Sequence, residues 1–185
     1  MTDLLQDDPA AVILAWDEAW VYAQAAPTVV WSPIGHPPVV AVSPQRDCLV
    51  FYGALDLRTG EEYAIMTDKM NQRTSATFLE AVVARFPGRR VLVIGDNASW
   101  HKGLPINRLL ADHPCLSLFY LPVACPDLNP QEHVWAVVRR TVPPQVNSPR
   151  FADLAQAFLV TLRRTRLRPP LFEHYAPPIL SVLTG

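Results

Sequence analysis

Three carboxylates stand where the hydrophobic pattern of the chain breaks off. Asp17 follows the apolar run 12–16. Asp96 follows the run 91–94, in Val-Ile-Gly-Asp-Asn-Ala. Glu132 falls in the first turn of a helical stretch that comes after the run 116–121. Functional groups of open α/β sheets gather at the carboxyl ends of strands. If the first two of these strands are neighbours, Asp17 and Asp96 lie side by side, and Glu132 can point into the same crevice. Like charges in one site raise each other's pKa, and a divalent cation removes that penalty. Mg²⁺ or Mn²⁺ takes oxygen ligands and keeps positions open for water and phosphate. Two such ions, about 3.5–4 Å apart, hold the attacking and leaving oxygens of an in-line phosphoryl displacement. The chemistry indicated is phosphodiester cleavage or strand transfer. Each acid also has a local role open to it. Glu132, three residues after Asn129, can complete a capping box. Asp96 with Asn97 can end a strand in a turn. Asp17 can be a turn acid with Glu18 as the ligand in its place.

The elements that must position these acids follow from periodicity. Short apolar or β-branched runs predict strands at 12–16, 39–42, 49–57, 63–66, 91–94 and 116–121. Phe78, Leu79, Val82, Val83 and Phe86 recur at helical spacing, and Pro87-Gly88 ends that helix. A weaker helix is expected near 105–111. Asn129-Pro130 reads as N-cap and first helical residue of another, with Val134, Trp135 and Val138 as its apolar stripe. A last helix is expected from about Arg150 to Arg166. An antiparallel start followed by β-α-β-α crossovers predicts a mixed α/β sheet with helices on both faces.

Composition bounds the rest. At 185 residues the chain fits one domain, 1–185. Half its residues are hydrophobic, which excludes a disordered chain. Cys48, Cys115 and Cys125 are odd in number and widely spaced, as for reduced thiols in a cytoplasmic protein. The N-terminus carries Asp3, Asp7 and Asp8 and no basic residue, unlike a signal peptide. Pro27, Pro33, Pro37, Pro38 and Pro44 break the uncharged stretch 19–45, so no membrane partner is expected. The net charge of −1 does not by itself suggest DNA. It is unevenly spread, however. Residues 1–18 hold five acids and no base, whereas residues 139–168 hold seven arginines against Asp153 alone. Such a basic flank suits sequence-independent phosphate contacts.

The runs Asp96-Asn97-Ala98-Ser99-Trp100-His101-Lys102 and Leu121-Pro122-Val123-Ala124-Cys125-Pro126-Asp127-Leu128-Asn129-Pro130-Gln131-Glu132 resemble the DDE transposases of the mariner-like superfamily, and most of all its bacterial insertion-sequence branch. The second acid of that family sits in a D-N-A-x-x-H block. The third sits in L-P-x-x-S-P-x-L-N-P-I-E, commonly followed by a Trp as Trp135 is here. The Asp96–Glu132 interval of 36 residues is near the usual separation, and Asp17-Glu18 matches the first acid. The resemblance covers about residues 12–145. Cys125 replaces the usual Ser, and Gln131 replaces Ile.

The resemblance implies a ribonuclease H-like fold, with Asp17, Asp96 and Glu132 as ligands of two Mg²⁺ (or Mn²⁺) ions. It also implies hydrolysis at transposon ends followed by strand transfer into target DNA. Double-stranded DNA and a second copy of the chain are the implied partners, and the bacterial cytoplasm, at the nucleoid, is the implied location. Trp100, His101, Lys102, Arg139 and Arg140 are the candidate DNA contacts. His101 is also a candidate support for the site. Only sixteen residues precede Asp17, so no helix-turn-helix module is expected here, and a separate helix-turn-helix chain is a possible partner. The competing expectation is an inactive transposase remnant that binds DNA or a partner chain; three intact acids weigh against it.

Overall fold

The computed structural model describes residues 8, 10–23, 31–36, 47–123, 125–142 and 151–167. The expected strand at 39–42, together with Arg150 and Arg168, lies outside them.

Five strands form one sheet: β1 Val12–Tyr22, β2 Cys48–Asp56, β3 Glu62–Thr67, β4 Val91–Gly95 and β5 Leu116–Tyr120. Their order is β3-β2-β1-β4-β5. The first three pair antiparallel, and β4 and β5 join parallel to β1. Among the described residues four α-helices cover the faces: α1 Gln72–Val83, α2 Leu104–Asp112, α3 Gln131–Thr141 and α4 Phe151–Arg164.

Strand side chains alternate between faces, and here the alternation separates two cores. Val12, Leu14 and Trp16 pack with α1 and α2, among them Phe78, Leu79 and Ile106. Ile13 and Ala15 pack with α3 and α4, among them Val134, Trp135 and Phe158. Trp16 and Trp135 are the largest fully buried side chains. The parity matters at the next two positions of β1, because it sends Asp17 toward α3 and Glu18 toward the opposite face.

The helix starts are set locally. Asn71 caps α1 through a capping box: its side chain accepts from the Arg73 and Thr74 amides, and Thr74 Oγ1 accepts from the Asn71 amide. Gly103, at φ +103°, turns the chain into α2, a conformation glycine adopts without strain.

Two boundaries differ from expectation. β1 runs eleven residues and does not stop at Trp16. Its parallel partner β4 ends opposite Trp16, while the antiparallel ladder with β2 continues to Tyr22. Asp17 therefore lies inside a strand, at the step where one neighbouring strand gives out. α3 begins at Gln131 with Pro130 as N-cap, one residue later than read from sequence. Asn129 still serves the turn, since its Oδ1 accepts from the Gln131 amide at 3.2 Å.

Candidate active site

Trp16 pairs with Gly95, the last residue of β4. The next residue after each is an acid, so Asp17 and Asp96 leave neighbouring strands side by side, about one strand spacing, ~4.8 Å, apart across the sheet. Helix α3 brings the third. Trp135 Nε1–H donates to Asp17 Oδ2 at 3.1 Å, and Asn129 Nδ2–H donates to the Trp16 carbonyl at 3.3 Å. These bonds fasten the start of α3 across β1. Asp17, Asp96 and Glu132 then line one cavity of about 340 Å³, with Asn97, Pro122 and Asn129 among its other walls.

The side chains are not drawn into a closed ligand set. Among the described residues, no group of three His, Cys, Asp or Glu stands close enough to hold a metal ion as it is. Glu132 is exposed on the first turn of α3. Its capping role is not taken up, because the Asn129 amide donates to the Pro126 carbonyl.

The electrostatics drive the two aspartates apart. Burial pushes the Asp17 carboxyl up to about 7 against the pull of the Glu18 backbone amide and, less, of Trp135, while the charges of Glu18 and Glu132 add to the rise. Asp96 is held below the usual carboxylate range, chiefly by its hydrogen bond to His101. A buried carboxyl beside a second, ionised one attracts a cation. The three carboxylates facing the cavity are hard oxygen donors and fit Mg²⁺ or Mn²⁺, while the Cys125 thiol on its wall is turned to the Val123 carbonyl.

Beneath the cavity lies a network that sequence reasoning caught only in part. His101 is fully buried. Its Nδ1–H donates to Asp96 Oδ1 at 2.8 Å and its Nε2–H to Glu18 at 2.9 Å. Trp100 Nε1–H donates to Glu18 Oε2 at 2.8 Å. The imidazole packs against Trp16 at a tilt of 36°, with ring centroids 3.8 Å apart. Gly95 makes room, since a Cβ there would meet the Trp16 ring at 3.1 Å. Burial alone would lower the His101 pKa, but the hydrogen bonds to Asp96 and Glu18 together outweigh it and push it up to about 9. His101 is therefore an imidazolium clamped between two carboxylates.

Of the two expectations for His101, a DNA contact is not what the geometry gives: both ring nitrogens are used and the side chain has no exposure, so it lies beneath the cavity. Glu18, the alternative ligand, points away from the cavity into this clamp. Trp100 is half-buried, with its indole N–H already bound. Lys102 is exposed, bonds Asn97 and lies 5.2 Å over the Tyr120 ring. Arg139 and Arg140 are exposed in the last turn of α3.

The clamp has a measurable consequence. A folded-state pKa of about 9 against 6.5 in the unfolded chain means that its stabilisation is complete below pH 6.5 and disappears as pH rises through 9. Urea denaturation should show stability falling across that window. His101→Ala should destabilise the fold by about 3–5 kcal/mol at pH 6, because it strands the buried Glu18 carboxylate, and should flatten the alkaline slope.

A five-stranded mixed sheet with acids beside one another on its central strands, and a third on the helix after β5, defines the ribonuclease H-like class. The model of the DDE superfamily endonuclease family matches residues 12–166, and the chain belongs to that family. No curated protein gives a significant match. Among solved structures, the Mos1 strand transfer complex is similar at 15% identity and TM-score 0.63, over 98% of this chain and 59% of that one. The mariner Mos1 paired end complex with Mg is similar at 20% identity and TM-score 0.59, over 93% and 56%. The HTLV-2 integrase catalytic core domain in complex with magnesium is similar at 7% identity and TM-score 0.50, over 81% of each chain. These likenesses establish the fold. The chain spans about 60% of the length of the Mos1 chains in the paired-end and strand transfer complexes.

Proposed function

We propose that the chain is the catalytic domain of a transposase, which hydrolyses DNA phosphodiesters at transposon ends and transfers the ends to target DNA. The observation that carries this reading is the meeting of Asp17, Asp96 and Glu132 on one cavity. These three residues would hold two Mg²⁺ or Mn²⁺ ions. When bound, the ions supply acidity to an attacking water or 3′-hydroxyl and neutralise charge on the phosphate oxygens.

The chain's own residues prepare the site. His101 keeps Asp96 ionised and fixes its orientation. Trp135 holds Asp17, leaving the exposed Glu132 to close on the site. Arg139 lies seven residues beyond Glu132 on α3, about 10 Å along the helix and about 20° round it. A phosphate track reaching the cavity along that face meets Arg139, with Arg140 at its side. Lys102 and the half-buried face of Trp100 flank Asp96 and are assigned to the same DNA.

The resemblance of the Asp96 and Glu132 blocks supports a bacterial insertion-sequence origin, action at the nucleoid in the cytoplasm, and assembly of two copies on DNA. Recognition of the transposon ends is assigned to a helix-turn-helix element supplied by another segment or chain. Among the described residues no helix is long and apolar enough to cross a membrane. The test is nicking of supercoiled DNA that carries the flanking inverted repeats. Nicking should require Mg²⁺ or Mn²⁺ and stop with chelator, and binding without any nicking would favour the remnant reading.

A further inference from the structure

Gln131 precedes Glu132 and is fully buried, and so is its partner Glu62, the first residue of β3, at 4% exposure. Gln131 Nε2–H donates to Glu62 Oε1 at 2.7 Å. The second oxygen of each group, Glu62 Oε2 and Gln131 Oε1, is buried without a hydrogen-bond partner. Gly53 makes the space for this pair. A Cβ at Gly53 would meet Glu62 Oε1 at 2.5 Å and the Trp135 ring at 2.8 Å, and it would collide with the Gln131 amide. Gly53 is also the β2 residue paired with Asp17. The pair thus lies beside Asp17, on the α3 face of the sheet.

With Glu62 ionised, its Oε2 and the Gln131 Oε1 are both acceptors, and two buried acceptors cannot satisfy each other. A proton on Oε2 changes that, because an acid O–H and a primary-amide carbonyl are complementary. A carboxylic acid and a primary amide close a ring of two hydrogen bonds, N–H to acid carbonyl and O–H to amide carbonyl.

We propose that Glu62 is carried as the neutral acid and that it and Gln131 form this reciprocal ring, a lock that fixes the first turn of α3, and with it Glu132, to the β2–β3 hairpin. Burial pushes the Glu62 carboxyl well above the ordinary range, against the opposing pull of the Gln131 amide and of the Ala54 backbone amide nearby. The direction agrees with the geometry. Glu62 and Gln131 are then positioning residues. Their role toward Glu132 rests on the three-carboxylate reading, whereas the ring itself does not.

Two measurements on the full chain separate these parts. The infrared difference spectrum between wild type and Glu62→Gln at neutral pH should show loss of a protonated-carboxyl C=O band. Loss of a carboxylate band in its place overturns the ring. Mn²⁺ affinity, read by electron paramagnetic resonance of free Mn²⁺, should be retained in Glu62→Gln, whose carboxamide can complete the same two bonds. It should weaken roughly tenfold in Glu62→Ala, the size of effect seen when a group orienting a ligand is removed. Wild-type affinity in Glu62→Ala overturns the positioning role. Failure of the wild-type chain to bind Mn²⁺ overturns the three-carboxylate reading, with the infrared result still deciding the ring. If Glu62→Ala does not fold, Glu62→Gln carries both measurements, and a tenfold loss of affinity in that variant overturns the lock.

Discussion

Asp96→Ala is expected to reduce Mg²⁺-dependent nicking by about 10³-fold or more. A bound cation contributes several kcal/mol of charge stabilisation to a phosphoryl transfer, and each 1.36 kcal/mol is tenfold in rate. Asp96 is the acid best prepared to supply a ligand at neutral pH, since His101 keeps it ionised. Alanine also releases His101, so the change disturbs more than the cavity. Asp96→Asn separates the two effects. An asparagine Oδ1 still accepts from His101 Nδ1–H and leaves the clamp with Glu18 in place, but it brings no charge. Both variants should lose nicking, and only the alanine should lose appreciable stability. Nicking by Asp96→Asn at the wild-type rate would remove Asp96 from the reaction.

Asp17→Asn is expected to make the protein more stable at pH 8 while reducing its response to divalent metal. The folded state holds the Asp17 proton up to about pH 7, against 3.8 for the ordinary group. Folding therefore favours the neutral form. That advantage is full below pH 3.8 and is lost as pH rises through 7. At pH 8 the wild type carries a buried charge that an amide lacks. Three pKa units correspond to at most about 4 kcal/mol, and relaxation around the site leaves on the order of 2 kcal/mol. Urea denaturation at pH 8 should show that gain, with a smaller difference at pH 5. Added Mn²⁺ should reverse the order, because a ligand that binds only the folded state at 100 times its Kd adds about 2.7 kcal/mol. Wild type should gain this, and Asp17→Asn should gain much less.

The parts of the fold legible in the sequence are those with a local signal. The apolar runs at β4 and β5, the helical spacing of Phe78 to Val83 and the stripe of α3 each stand in the chain as a period, and the structure has an element at each. The continuation of β1 past Trp16 is not legible, because Asp17 and Glu18 interrupt the apolar run and only the β2 ladder carries the strand onward. The three acids are visible because they follow such runs. The groups that hold them are not, because each bond joins distant segments. Glu18 meets His101 across 83 residues, Trp135 meets Asp17 across 118, and Gln131 meets Glu62 across 69. No periodicity encodes these pairs. One partial signal was present: the strand alternation that places Ala15 on one face and Trp16 on the other also places Asp17 and Glu18 on opposite faces. It decides between them as cavity acids once β1 is known to be continuous.

The cavity account is tested most directly by anomalous diffraction from crystals soaked in Mn²⁺ near pH 8, where Asp17 is ionised. Two Mn²⁺ peaks about 3.5–4 Å apart, liganded by Asp17, Asp96 and Glu132 with Glu18 still bound to His101, are the result expected. Ordered density for the three carboxylates with no Mn²⁺ between them, or Mn²⁺ bound through Glu18, would contradict it.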